Sequence, residues 1–267
     1  MPDPVEHRLN RFGTPFRVGS TSYVYPDDIL PNVERLAQQG DVDDVELILF
    51  EVDDGPNNLP DAHTVQLLAD LAAQHSLTYT VHLPLDLQLG ADGGAQHASL
   101  IKAERVIKTT LPLSPHAYVF HLDGAGVGEA GWIKNALKAL DFVIAWVGAP
   151  ELLAVENLEA WDPAYLDPVL AALPISRTTD IGHFWKSGID PLAVLDSWLP
   201  RTRVIHIHGL AERDHRSLAL VPPERLDPVT ARLMSYGGVV TLEVFETGDF
   251  FTSRAALLDS VARGRHG

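Results

Sequence analysis

TYTVHLP at residues 78–84 and YVFHLD at residues 118–123 are short runs of apolar, β-branched and aromatic residues, each closing around a histidine. Runs that stay apolar instead of alternating are expected of strands buried on both faces, as in a parallel sheet. His82 and His121 would then stand at equivalent points of neighbouring strands. Working outward from this pair, six further runs of the same kind occur at residues 17–22, 45–50, 152–157, 178–181, 203–208 and 239–245. With 78–83 and 117–122 they make a set of eight predicted strands.

Segments with helical periodicity separate them, at residues 27–39, 61–75, 99–109, 131–147, 164–173, 191–198, 224–236 and 252–262. In the first, Ile29, Leu30, Val33, Leu36 and Ala37 share one face after a Pro-Asp start. Eight strands alternating with eight helices predict an α/β fold, a (β/α)8 TIM barrel of one domain over residues 1–267. A length of 267 residues is close to the ~250 typical of that architecture. A doubly wound open sheet is the alternative, but no glycine-rich dinucleotide fingerprint follows the first strand. The glycine-rich segments 90–95 (GADGGA) and 123–131 (DGAGVGEAG) follow strand ends, where barrel loops shape a substrate cavity.

Composition narrows the chemistry. Hydrophobic residues make up 46% and charged residues 21%, the profile of an ordinary globular chain. No apolar run is long enough to span a bilayer, and the opening MPDPVEHRLNRF has no apolar signal region. A cytoplasmic protein with no membrane partner is expected. The chain has no cysteine, so any metal must be held by His, Asp and Glu, a donor set suited to Zn, Mn, Fe or Co. A net charge of −16 argues against nucleic acid as a partner, because phosphate binding draws on basic surface. The oligomeric state is left open.

Read in order, the strand ends carry Glu51, His82, His121, Glu156, Asp180 with His183, His206 with His208, and Glu243. Imidazoles and carboxylates delivered to one end of a barrel suit a divalent-metal site. Glu156, Asp180, His206 and Glu243 would hold one ion. His82, His121, His183 and His215 supply nitrogen for a second or a third. Two ions roughly 3.5–4 Å apart suit phosphoryl transfer, whereas one suffices to move a proton beside a carbonyl. His206 and His208 lie on the same face of their strand because side chains alternate. Glu51, His208 and Asp214 are open between ligand, support for a ligand, and substrate contact. Past strand seven, AERDHRSLA adds Arg213 and Arg216, whose forked guanidiniums suit phosphate.

These motifs resemble the xylose-isomerase-like barrels, a superfamily that includes type-two apurinic endonucleases and many sugar isomerases and epimerases. The resemblance rests on VHLP at His82, FHLDG at His121, VENLE at Glu156, DIGH at Asp180 and His183, IHIHG at His206, RDHRSL at His215 and TLEVF at Glu243. In the endonuclease branch it implies that these positions are metal ligands, with Glu156 bridging two ions. That branch carries an Asp-Arg-His order after strand seven where this chain has Arg213-Asp214-His215, which leaves the third ion's ligands open. Within the superfamily, the stretch GSTSYVYPDDILPNVERLAQQGDVDDVELILFE and the motifs above resemble the cobamide-remodelling phosphodiesterases. That resemblance implies cleavage of the nucleotide-loop phosphodiester of a corrinoid, giving cobinamide phosphate and a nucleoside.

The leading expectation is therefore a phosphodiesterase using one to three divalent ions on a small-molecule corrinoid substrate. Glu156, Glu243 and His183 would stand at the reacting centre. Arg213, Arg216 or Lys186 would meet phosphoryl charge, and Trp185 and Tyr23 would line an apolar wall. A sugar or sugar-phosphate isomerase or epimerase with one metal and Glu156 and Glu243 as acid and base is the alternative. A non-catalytic ligand-binding barrel is the third.

Overall fold

A computed structural model describes residues 9–50, 57–84, 98–129 and 131–266. Eight parallel strands close in sequence order: β1 (Arg17–Thr21), β2 (Asp44–Ile48), β3 (Thr78–His82), β4 (Ala117–Phe120), β5 (Leu153–Glu156), β6 (Ser176–Asp180), β7 (Thr202–Ile207) and β8 (Val239–Leu242), which pairs back onto β1. The (β/α)8 expectation holds.

Helices α1 (Ile29–Gln39), α2 (Ala62–His75), α3 (Ala98–Thr110) and α4 (Trp132–Val147) follow the first four strands. The fifth predicted helix is shorter than its periodicity suggested. A 3-10 turn, Pro163–Leu166, leads into α5 (Asp167–Ala172), whose first turn carries a proline. β6 starts two residues before its predicted run, and Ile181 leaves the strand to open a short helix, α6 (Ile181–Lys186), absent from the sequence expectation. The Asp180 carboxylate accepts from the His183 amide at 2.6 Å and caps that helix. Next come α7 (Leu192–Trp198), α8 (Pro223–Leu233) and α9 (Thr247–His266), the last longer than predicted at both ends. Among the described residues, no helix is long and apolar enough to cross a membrane.

Period-two alternation sorts each strand's side chains into two environments. Outward residues such as Leu47, Tyr79, Val81, Tyr118, Phe120, Val155, Ile205 and Leu242 join the helices in one large apolar cluster. Inward residues are small or polar. Ala117, Val119, Ala154 and Val204 form a separate small cluster in the lumen. Thr80, Thr178 and Thr241 are buried with hydroxyls that have no hydrogen-bond partner. At the lower end Arg17 donates to Thr78 Oγ1 at 3.0 Å and contacts His116 Nδ1 at 2.7 Å. Burial, with Arg17 and Arg203 close by, lowers the His116 pKa to about 3, so its imidazole is neutral. The upper end of the lumen is where the strand-end acids and histidines meet.

Candidate metal centre

The register stacks the inward residues in rings. His82 on β3 pairs in register with Val119, Glu156 on β5 with Thr178, and Asp180 on β6 with His206 on β7. One residue further along their chains, His121 and Glu243 complete the upper ring. All are buried except His121, which is partly exposed.

Glu156 is the hub. Its Oε2 lies 3.1 Å from His121 Nε2 and 3.5 Å from His82 Nε2. Its Oε1 lies 3.1 Å from His206 Nδ1. The same His206 nitrogen is 3.3 Å from Glu243 Oε2 and 4.0 Å from Asp180 Oδ2. The two oxygens of one carboxylate thus face two different ligand clusters. Donor atoms of His82, His121 and Glu156 lie within 4.8 Å of one another, as do those of Glu156, Asp180, His206 and Glu243. A third group joins His183, His208 and His215, and a fourth Glu159, His183 and Asp214.

One nitrogen of each of three rings is tethered to the backbone. His82 Nδ1–H donates to the Leu83 carbonyl at 2.8 Å, and His183 Nδ1–H to the Asn157 carbonyl at 2.9 Å. His208 Nδ1 is 3.1 Å from both the Gly209 carbonyl oxygen and the His215 amide nitrogen. His82 Nε2 is thereby left facing Glu156, the arrangement that orients an imidazole for a metal, whereas His183 Nε2 faces Glu159 Oε2 at 3.3 Å. His206 is inverted. Its Nδ1 faces Glu156, while Nε2–H donates at 2.9 Å to Glu46 Oε2, a carboxylate fully buried on β2.

Charge is crowded here. Burial alone would raise the Glu156 pKa, but His206 and His121 outweigh it and hold the carboxyl well below its usual range. Burial would lower His206, yet Glu243, Glu46 and Glu156 raise it well above the usual imidazole value. For His183 burial is likewise opposed by Asp180, Glu156 and Glu243, giving a pKa of about 9. His215 also reaches about 9 against its burial, driven by Glu243, Asp180 and Asp214. Without a metal, the imidazoles of His183, His206 and His215 carry positive charge beside these acids.

The residues fit a divalent ion by a further observation. Asp180 Oδ2, Glu243 Oε2, His208 Nε2 and Glu46 Oε1 are buried and have no hydrogen-bond partner. Buried polar atoms are nearly always satisfied by protein, water or an ion, and the first three belong to the clusters just described. The inward strand-end expectations for His82, His121, Glu156, Asp180, His183, His206, His215 and Glu243 are thus all brought to one region.

A cavity of about 630 Å³ opens above the cluster. His82, His121, Glu156, His183, His215 and Glu243 form its floor, and Ile48, Phe50, Leu83, Trp161 and Phe245 give it apolar walls. The wall assigned to Trp185 and Tyr23 is corrected. Trp185 packs into the apolar cluster behind α6, and the Tyr23 hydroxyl accepts from Asn58 at 2.6 Å while its ring stacks on Phe50. Arg213 and Arg216 are corrected too. They pair with Glu246 at 2.6 Å and Asp249 at 2.7 Å at the start of α9, and among the described residues no arginine lines the cavity. Lys186 is held between two cavity-lining acids, Glu159 at 2.8 Å and Asp214 at 2.5 Å. Glu51 and the segment 90–95 lie outside the described residues.

Sequence reasoning missed Glu46, Asn157 and Glu159. Asn157 clamps the end of β6, accepting from the Asp180 amide at 2.9 Å and donating to the Asp180 carbonyl at 3.0 Å. For Glu46 a signal existed, since an acid inside the apolar run VELILF must face an internal partner.

No family model matches this chain, and no curated protein matches it. Solved structures do. A D-tagatose 3-epimerase-like protein superposes with a TM-score of 0.73 at 16% identity, covering 94% of this chain and 99% of that one. Endonuclease IV from Thermus thermophilus gives 0.67 at 18% identity, covering 91% and 99%. The IOLI protein with a binding zinc atom gives 0.62 at 13%, covering 94% and 96%. What these structures share with this chain is the fold, a closed (β/α)8 TIM barrel.

Proposed function

We propose that this chain is a metal-dependent phosphodiesterase that cuts the nucleotide-loop phosphodiester of a cobamide, yielding cobinamide phosphate and a nucleoside. The observation that carries the metal-dependent part is Glu156, whose two oxygens face a His82–His121 cluster on one side and an Asp180–His206–Glu243 cluster on the other. A carboxylate so placed suits a bridge between two ions. His82, His121, His206, His183 and His215 are the nitrogen donors, and Asp180 and Glu243 the remaining carboxylates. Bound divalent ions would supply Lewis acidity and positive charge at the phosphoryl oxygens.

The chain's own groups account for the rest. Glu156 and Glu243 are held ionised by their imidazole neighbours. Lys186, tied to Glu159 and Asp214 at the rim, is the side chain available to meet phosphate charge once a substrate displaces one of its partners. The apolar walls exclude water and suit a flat ring. The cobamide itself is supported by the resemblance of VHLP, FHLDG, VENLE and RDHRSL to the remodelling phosphodiesterases.

A second reading is favoured by a specific arrangement: Glu156 and Glu243 approach His206 Nδ1 at 3.1 and 3.3 Å, a paired-glutamate site that a sugar epimerase could use with one ion. In that reading His82 and His121 have no task. Product analysis by mass spectrometry after incubating metal-loaded protein with a complete cobamide, beside a chelator-treated control, separates the two. Cobinamide phosphate plus nucleoside, absent with chelator, is the expected result. Unchanged cobamide across several metals and lower ligands would overturn the phosphodiesterase and favour the epimerase.

A further inference from the structure

The cavity above the acids and imidazoles is not walled alike on its two sides. Phe50 and Phe245 stand past β2 and β8, the neighbours of β1, and Trp161 stands past β5, across the barrel from β1. The floor lies between them. We propose that Trp161 is the subsite for a flat, nitrogen-containing aromatic ring of the nucleobase class, held face to face on the indole. This rests on the phosphodiesterase reading above, within which it seats the departing nucleoside.

Trp161 is fixed in place by the protein itself. Its amide donates to the Leu158 carbonyl at 3.3 Å, closing a turn whose residues 158–161 all line the cavity. Asp162 then caps the 3-10 turn Pro163–Leu166, accepting from the Ala164 amide at 2.9 Å. Within that turn the Tyr165 hydroxyl donates to the Leu122 carbonyl at 2.7 Å, and its ring stands 6.4 Å from the Trp161 ring at a tilt of 54°. The indole also rests on Gly124. A Cβ there would lie 2.6 Å from Trp161 Cδ2, 2.8 Å from Cγ and 3.0 Å from Cε2. Cδ2 and Cε2 are the two atoms shared by the fused rings, so the glycine lies against a face of the indole and not along its edge. Gly124 is not among the residues with positive φ, so what calls for glycine here is room for the ring.

A half-buried indole with one face packed offers the other to the cavity it lines. Aromatic faces of this kind hold planar rings by stacking, and every nucleobase has such a face. The polar groups beside it narrow the ring further. Asp123, the chain neighbour of Gly124, and Glu159, two residues before Trp161, also line the cavity. A carboxylate accepts hydrogen bonds and donates none. The ring that fits must therefore bring N–H or O–H donors, as the amino groups and ribose hydroxyls of a nucleoside do. A purely aliphatic group would fill the space and leave both acceptors without a partner. Because Trp161 is already held by Gly124 and Tyr165, stacking on it costs little further ordering of the side chain.

The test is binding, read without turnover. Nuclear magnetic resonance of full-length protein labelled at its five tryptophan indoles follows titration with adenosine and, separately, with ribose. Trp161→Phe identifies the Trp161 signal. The proposal expects the Trp161 indole N–H to move upfield and saturate with adenosine and to stay in place with ribose. Trp161→Leu, apolar but without a ring, should weaken adenosine binding about 5–150-fold, the range for one base stacked on one aromatic side chain. Trp161→Phe should weaken it less. Gly124→Ala, which pushes on the indole without altering it, should also weaken adenosine, and should add nothing to Trp161→Leu. An unmoved Trp161 signal, or a Trp161→Leu variant that binds adenosine as tightly as the unaltered protein, would overturn the subsite. Adenosine contains no phosphodiester, so the two readings fail separately. If cobamide is cleaved and adenosine leaves Trp161 unmoved, only this proposal falls; if adenosine stacks on Trp161 and cobamide stays intact, only the phosphodiesterase reading falls.

Discussion

On β2, Leu47 faces outward into the apolar layer beneath the helices, and its neighbour Glu46 faces inward to His206. The same division runs round the barrel: Val81 outside and His82 inside, Val155 outside and Glu156 inside, Ile205 outside and His206 inside. The outer layer is almost wholly apolar, the hydroxyls of its Tyr79 and Tyr118 bonded to Leu68 and Thr110. The lumen carries unpartnered hydroxyls below and a crowd of acids and imidazoles above. Stability is thus concentrated on one face of each strand, and chemistry on the other. Because alternation separates them by a single residue, the lumen can carry groups that would be ruinous in the outer core.

Four changes would break or sharpen that contrast. Leu47→Ala, in the outer layer, should cost about 2–5 kcal/mol in chemical denaturation and leave metal binding at the lumen intact. A loss below about 1 kcal/mol would mean that the outer layer does not hold the fold as described. In the lumen the leading effect is electrostatic and depends on pH. His183 and His215 have folded pKa values of about 9, above the ordinary 6.5. Their contribution to the stability of metal-free protein is complete below pH 6.5 and is lost as pH rises through 9. Thermal melting of chelated protein should fall across that window, and that of metal-loaded protein should stay level, because ligating imidazoles are neutral. A chelated protein with a flat profile would contradict the charge balance inferred for the lumen.

Glu46→Gln keeps a hydrogen-bond acceptor behind His206 and removes the charge. Metal affinity, read by competition with a chromogenic chelator, should weaken about 10–100-fold, the usual effect of losing a partner behind a ligating histidine. Unchanged affinity would reduce Glu46 to a filler. The smallest effect is expected for Thr241→Val. Its hydroxyl is buried without a partner, so an isosteric apolar replacement should move stability by less than about 1 kcal/mol. A larger loss would place a hydrogen-bonded water inside the lumen.

Much of this division was legible from residue order. Continuous apolar runs separated by helical periodicity reveal a buried parallel sheet, and the histidines and acids at the ends of the runs reveal which end carries chemistry. The β6 boundary was not legible, because Ser176, Arg177, Thr178 and Thr179 are polar while lying in a strand whose lumen is itself polar. Helix α6 is too short for periodicity to register, and its cap, Asp180, reads equally well as a strand end. Arg213 and Arg216 were misplaced because their partners, Glu246 and Asp249, lie more than thirty residues away and meet them only through the barrel's closure. Glu46 lies one ring below the strand ends, inside an apolar run, and so shares none of their register.

The claim on which the rest depends is that Glu156 bridges two ions. Anomalous diffraction from crystals of zinc-loaded protein, measured at the zinc edge, tests it without reference to substrate. The account predicts two peaks, each about 2.0–2.2 Å from a different oxygen of Glu156, one also on His82 and His121 and the other on Asp180, His206 and Glu243. A Glu156 carboxylate still bonded directly to His121 and His206, with no anomalous peak at either oxygen, would contradict it.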